Sequence, residues 1–315
     1  MQECNEKYSI QFLAIRTGWP VRAQPLTTMS IESSSNGNDN NRTIQCAGTS
    51  LARACHLIVD LDGTLIREDE PIEGAAELLA RFRDRYVIVS NNATHTAHSM
   101  ARRLARMGLK VEPEHIVLAG EQTIDYMRRE HPHARMLLAA SPVLQRHALS
   151  IGCELVKSDA DFVVLALDPG FNRARLGTMA NQLRRGARLL VTNGDDNHPG
   201  PGGAVVPETG ALMAALVAAS GVQPWRIIGK PGPLLLEEGM RRLGAQASST
   251  IVIGDNPLTD ALGAARLGMR CVLVGDAPQA EARTLPALLR TGASPQYLLS
   301  ESTSNVCLSV LTDLS

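Results

Sequence analysis

Aromatic residues are scarce in this chain of 315 residues: two Trp, four Tyr and four Phe, 3% in all. Surfaces on which bases could stack are few, and a formal net charge of −1 supplies no basic stripe for a polyanion. Both speak against a nucleic-acid partner. Lysine is rare too, with only Lys7, Lys110, Lys157 and Lys230 against 27 arginines. The six cysteines (Cys4, Cys46, Cys55, Cys153, Cys271 and Cys307) include no C-x-x-C and no His/Cys grouping at zinc spacing. They read as reduced thiols, several of them buried. The chain opens with no sustained apolar region of the kind a signal peptide needs. Its longest apolar stretch, around Ala211–Ser220, is too short to cross a bilayer. No membrane partner is expected, and the cytoplasm is the default location.

What is there is the composition of a soluble globular protein, 44% hydrophobic and 20% charged, long enough for one large domain or two ordinary ones. Residues 1–50 stand apart. Their Ser/Asn/Gly-rich stretch Ile31–Asn41 cannot bury enough apolar surface to offset chain entropy, so they read as a flexible extension. A segment without a role, upstream of a start at Met29, fits that stretch as well as a targeting function does. From Cys55 onward short apolar runs alternate with helical patterns. The runs are His56–Val59, Tyr86–Val89, Met136–Ala139, Phe162–Leu167, Arg188–Val191, Ile227–Ile228, Thr250–Ile253 and Cys271–Val274. Helical periods fall on Ala75–Arg83, His98–Met107, Leu176–Arg185, Leu234–Leu243 and Thr259–Leu267. The alternation predicts an α/β fold with a mostly parallel sheet covered on both faces. The Ser/Thr-rich end from Glu301 is expected to pack loosely.

In open parallel sheets ligands sit beyond the carboxyl ends of the strands. Four apolar runs here end in reactive or phosphate-binding residues: Asp60-Leu-Asp62-Gly63-Thr64, Ser90-Asn91-Asn92, Gly229-Lys230-Pro231 and Gly254-Asp255-Asn256-Pro257-Leu258-Thr259-Asp260. One such end is weak evidence. Four in one chain point to a single site. Asp60 at a strand end can act as a nucleophile if a cation neutralises an incoming phosphate. Asp62, two residues on, projects the same way in extended chain and can serve as acid and base. Gly63 permits the turn that follows. The D-x-D-G-T pattern arises by chance in about one chain in a few hundred from average residue usage. Ser90 and Asn91 fit a helix N-cap, an anion site, or both. The compact ammonium of Lys230 suits a phosphoryl oxygen or a bridge to Asp60. Asp255 completes a hard-oxygen site for Mg²⁺ with Asp60, and Asp260 can anchor Lys230 or a metal-bound water. Plain helix capping by Asp255 with a first-turn acid at Asp260 is the bland alternative.

In order and spacing these residues resemble the haloacid dehalogenase (HAD) superfamily of phosphohydrolases, whose four motifs would span Asp60 to Asp260. The insertion between Ser90 and Lys230 resembles the C2-type cap of the subfamily of NagD-like nucleotide phosphatases, 4-nitrophenyl phosphatases, phosphoglycolate phosphatases and pyridoxal phosphatases. Glu70–Ala75 and Thr209–Leu212 are similar to that subfamily as well. The resemblance covers roughly residues 55–300 and implies a Rossmann-like parallel-sheet core with an inserted α/β cap. The expected division is 1–50 extension, 51–132 first core part, 133–224 cap, and 225–315 second core part with the tail. It implies Asp60 as nucleophile and Mg²⁺ ligand, and Asp62 as acid/base whose main-chain carbonyl also binds the metal. Ser90 and Lys230 would hold the phosphoryl group, and Asp255 would be the third metal ligand. Pro257 departs from the usual fourth motif, though proline is tolerated in a first helical turn.

The loop Thr192–Pro199 is similar to the substrate-specificity loop of such caps. There Asn193, Asp195 and His198, with Asn91 from the core, are expected to face the leaving group of a small phosphate ester. A polar surface turn would use the same residue types. The pairs His95/His98 and His131/His133 lack a carboxylate or thiol at ligand spacing and read as surface residues. The activity implied is Mg²⁺-dependent phosphomonoester hydrolysis through an aspartyl-phosphate. Sugar phosphates, nucleoside monophosphates, phosphoglycolate and pyridoxal phosphate all stay open as substrates, as does assembly into a homo-oligomer. A phosphotransferase would use the same residues, whereas a catalytically silent sensor of phosphate esters would be expected to lack Asp60 or Asp62.

Overall fold

The computed structural model describes Leu51 and residues 54–291. The expected extension over residues 1–50, the tail from Glu301, Cys4, Cys46 and Cys307 lie outside them. The chain runs β1 (His56–Val59), β2 (Ile66–Arg67), β3 (Glu70–Pro71), α1 (Ala75–Phe82), β4 (Tyr86–Ser90), α2 (Ala97–Arg106), β5 (Ile116–Leu118) and α3 (Ala119–Glu130). It continues through β6 (Arg135–Ala139), α4 (Pro142–Ser150), β7 (Glu154–Leu155), β8 (Phe162–Leu165), α5 (Arg173–Arg184) and β9 (Arg188–Val191). The hairpin β10 (Asn197–Pro199) and β11 (Val205–Pro207) follows, then α6 (Thr209–Ser220) and β12 (Arg226–Ile227). Last come α7 (Leu234–Leu243), β13 (Thr250–Gly254), α8 (Leu262–Arg266), β14 (Arg270–Leu273) and α9 (Leu285–Thr291).

Two five-stranded sheets result, ordered β14-β13-β1-β4-β5 and β12-β9-β8-β6-β7, every pairing parallel. The fold is α/β, a Rossmann-like core with an inserted α/β cap. In the first sheet the chain runs outward from β1 to β4 and β5, then returns to the other side of β1 for β13 and β14. That reversal makes β1 the switch point, where the crossover loops part and leave a crevice.

Alternation along the strands sends side chains to opposite faces. Leu57 and Val59 of β1 pack under α1, α2 and α9 with Leu78, Met100, Leu104 and Leu288. Ile58 faces the other way, joining Leu235 and Leu236 of α7 and also Met136, Leu138 and Val164 of the second sheet. One apolar cluster therefore spans both sheets and ties the cap to the core. The far face of the cap sheet, with Val163, Leu165 and Leu189, packs on α5 and α6 through Met179, Leu183 and Leu216. Each fully buried Leu or Ile contributes about 1.5–3 kcal/mol relative to exposure.

Three features differ from the sequence expectation. The run at Ile227 pairs with β9, so β12 belongs to the second sheet and the chain leaves that sheet past the expected 224/225 boundary. A strand of two residues carries too little pattern to reveal its sheet. The helix expected over Thr259–Leu267 begins as a π turn at Pro257–Ala261, with Asn256 Oδ1 accepting from Leu258 N, before α8. The described cysteines are not buried: Cys55 is exposed, and Cys153 and Cys271 are half-buried free thiols.

Candidate active site

Three adjacent strands deliver the acidic and hydroxyl groups. Asp60 leaves β1, Ser90 ends β4, and Asp255 follows β13, all at the carboxyl edge of the first sheet. Lys230 arrives from the other direction, out of β12 in the cap sheet. Its ammonium is buried and donates to three acceptors: Asp60 Oδ1, Asp260 Oδ1 at 2.7 Å and the Val89 carbonyl at 3.0 Å. Burial opposes the charge on Lys230, but Asp260 and Asp60 outweigh it and hold the ammonium well above the usual lysine range.

Asp60 is itself only 7% exposed. Burial pushes its carboxyl up, Lys230 pulls it down, and the like charge of Asp260 pushes it up again. Its Oδ2 accepts from the Thr64 hydroxyl at 3.3 Å. Ligand oxygens of Asp60, Asp255 and Asp260 all lie within 4.8 Å of one another. Burial, and then the neighbouring Asp260, push Asp255 up to about 6. Three clustered carboxylates share one ammonium's charge, an excess of negative charge on hard oxygens that suits a small divalent cation.

Asp62 is exposed, and its Oδ2 accepts from the buried Ser90 hydroxyl at 3.3 Å. Ser90 Oγ in turn accepts from Asn92 N at 3.0 Å. The turn that follows Asp62 needs Gly63, which sits at φ +87°. A Cβ there would also collide with the Asp255 carboxylate. Glycine thus allows the first and fourth motif loops to touch.

The expected cap residues divide. Asp195 Oδ2 accepts from both Asn91 Nδ2 and Asn193 Nδ2, each at 3.0 Å, which joins a core loop to the cap loop. Asn193 is 1% exposed, and its Oδ1 accepts from Thr192 Oγ1 at 2.9 Å. Its amide is committed within the loop. His198 sits on the β10–β11 hairpin, exposed, with Nδ1 2.7 Å from Glu208 Oε1.

Two histidines expected at the surface are partly buried instead. His95 Nδ1 lies 2.8 Å from Thr94 Oγ1 in the loop after Ser90, and burial with Arg103 nearby holds its pKa below the ordinary value. His131 packs among Tyr126, Phe162 and Trp225. Missed altogether was the Val89 carbonyl that receives Lys230, because a main-chain acceptor leaves no mark in a sequence.

Residues 57–154 match the haloacid dehalogenase-like hydrolase family, and residues 227–299 match a HAD-hydrolase-like family. A dihydroxyacetone phosphatase of Corynebacterium glutamicum is 30% identical over 234 residues, which is 73% of this chain and 84% of the relative. The chain belongs to the haloacid dehalogenase-like hydrolases. Within that family it is a NagD-like, C2-capped phosphatase, a phosphoric monoester hydrolase. The solved 4-nitrophenylphosphatase of Thermotoga maritima superposes on this hydrolase with a TM-score of 0.72 at 27% identity, covering 77% of this chain and 99% of that one. A glycerol phosphate phosphatase of Mycobacterium tuberculosis, solved in complex with magnesium, gives a TM-score of 0.65 at 30% identity, over 70% of this chain and 68% of that one. Among the described residues of this hydrolase no helix is long and apolar enough to cross a membrane.

Proposed function

We propose that this phosphatase is Mg²⁺-dependent and hydrolyses monoesters of small phosphorylated metabolites through an aspartyl-phosphate on Asp60. The observation that carries this reading is the convergence of the Asp60, Asp255 and Asp260 carboxylates within 4.8 Å of one another, with Asp60 and Asp260 paired to the Lys230 ammonium. Asp60 and Asp255, with the main-chain carbonyl of Asp62, would hold Mg²⁺. The bound ion neutralises charge on the phosphoryl oxygens. Asp260 stays on Lys230 and fixes where the ammonium points.

A carboxylate oxygen of Asp60 forms a bond to phosphorus while the ester P–O bond breaks. The departing alkoxide takes its proton from the carboxyl of Asp62, which is exposed toward solvent beside Ser90. Water then gives a proton to Asp62 and its oxygen to phosphorus, the Asp60–phosphorus bond breaks, and inorganic phosphate leaves. Ser90 and Lys230 hold the transferred group, for which Lys230 exchanges its bond to Asp60 for one to a phosphoryl oxygen. Dihydroxyacetone and glycerol phosphate phosphatases among the relatives support a three-carbon phosphate as substrate, an acid sugar phosphatase a sugar phosphate, and a 5'-nucleotidase a nucleoside monophosphate.

The test is phosphate release from a panel of esters with Mg²⁺, with chelator, and with Asp60→Asn. Chelation should abolish release and added Mg²⁺ restore it. Asp60→Asn should fall at least ~10³-fold on every ester, and acid-quenched parent enzyme should carry covalent phosphate that the variant lacks. An Asp60→Asn enzyme as active as its parent would overturn the mechanism.

A further inference from the structure

Asn91 lies one residue beyond Ser90, where a leaving-group contact would be natural, yet its amide is already engaged. Oδ1 accepts from Lys230 N at 2.7 Å, and Nδ2 donates to the Lys230 carbonyl at 3.0 Å and to Asp195 Oδ2 at 3.0 Å. Both N–H donors are used. The pair of bonds to residue 230 brackets that residue's main chain as a strand neighbour would.

The packing around this bracket is tight. Gly229 N donates to the Thr192 carbonyl at 2.7 Å. A Cβ on Gly229 would sit 2.6 Å from Asn91 Oδ1, 2.8 Å from the Thr192 carbonyl oxygen and 2.9 Å from Asn193 Cβ. Three segments therefore meet at van der Waals contact: the loop after β4, the cap loop after β9, and the return from β12. Asp195 is tied on its other side as well, since its carbonyl accepts from Gly210 N in the first turn of α6 at 2.7 Å. A shift of the cap loop thus reaches Asn91, and a shift of Asn91 reaches the main chain that carries the site's ammonium.

We propose that Asn91 and Asp195 are positioning residues, a strut through which the cap loop sets the placement of Lys230, rather than ligands of the leaving group. The inference rests on the function proposed above. A strut and a ligand differ in what they change. A strut affects the phosphoryl-transfer step common to all esters, so its loss lowers kcat by the same factor whatever the leaving group. A leaving-group ligand affects KM and discriminates between esters.

The experiment measures kcat and KM for Asn91→Ala, Asp195→Ala, Asp195→Asn and the Asn91→Ala/Asp195→Ala pair, on glycerol phosphate and on the bulkier 4-nitrophenyl phosphate, with Asp60→Asn as blank. Asn91→Ala should lower kcat ~10–100-fold and Asp195→Ala ~3–10-fold, equally on both esters, with KM within about threefold. The double variant should be no slower than Asn91→Ala within about twofold, because the bond from Asp195 to the core is already lost and its other bond, to Asn193, stays within the cap loop. Asp195→Asn, whose amide oxygen can still accept from Asn91, should recover most of the rate. Independent, multiplying effects in the double variant, or losses that differ between the two esters, would overturn the strut. If Asn91→Ala does not fold, as read by its thermal melt, the ester dependence of the two Asp195 variants decides alone. An active Asp60→Asn enzyme would sink the proposed function itself. An inactive one alongside multiplying effects would sink only the strut.

Discussion

The carboxyl edge of the core sheet and the loop of the cap sheet carry similar residues, Asp, Asn, Ser and Gly, and use them differently. At the core edge Asp60 and Asp260 are held against one ammonium with Asp255 beside them, more negative charge than it balances. In the cap loop the polar groups satisfy each other: Thr192 with Asn193, Asn193 with Asp195, His198 with Glu208. An unbalanced cluster at a switch point signals a ligand to come. A self-satisfied loop signals architecture, even where its residue types look like a binding site.

The largest effect that would break this contrast belongs to Asp255. Asp255→Asn should lower kcat/KM ~10²–10³-fold and raise the half-saturating metal concentration at least ~10-fold. A metal titration of phosphate release measures both, and an unchanged titration would remove the core edge from the chemistry. Next is Gly229→Ala, whose Cβ meets Asn91 Oδ1 at 2.6 Å and the Thr192 carbonyl at 2.8 Å. Main-chain and bonded atoms cannot yield cheaply, so stability should drop by about 1–3 kcal/mol in urea unfolding. A Gly229→Ala enzyme with parent stability would show that the cap loop is loosely held.

His198→Ala sharpens the other side. With His198 exposed and paired to Glu208, kcat/KM should change less than about threefold, equally on a small and a bulky ester. A loss confined to one ester would return His198 to the pocket.

The smallest effect lies away from both regions. His147 Nε2 sits 2.7 Å from Asp125 Oδ1, and this bond holds the imidazole above its ordinary pKa against partial burial. A raised folded pKa contributes stability that is full below the unfolded value of about 6.5 and fades as pH rises through the folded value. His147→Gln should therefore melt below the parent at pH 5.5 and approach it at pH 8.5. A pH-independent difference would mean that packing, not charge, is lost.

Much of the core site was legible because its residues sit where short apolar runs stop, and a strand end in a parallel sheet has a known place. Asp60, Ser90 and Asp255 each follow such a run. Lys230 was legible as a residue but not as an arrival from the cap sheet, since the two residues of β12 carry no period that assigns them to a sheet. The partners of Asn91, Asn193 and His198 were not legible. Each hydrogen bond joins positions whose separation along the chain reveals nothing, such as Asn91 with Lys230.

By itself the sequence determined the α/β alternation, the residues at the core strand ends and the glycines those turns need, because backbone sterics and side-chain period act over a few residues. Tertiary structure alone decided which sheet delivers Lys230, that Asp260 takes Lys230 as its partner, that the Val89 carbonyl anchors it too, and that Asn91 and Asp195 bind each other. Those choices depend on which groups lose water together when the sheets pack, and a buried donor takes whatever acceptor the fold brings within reach.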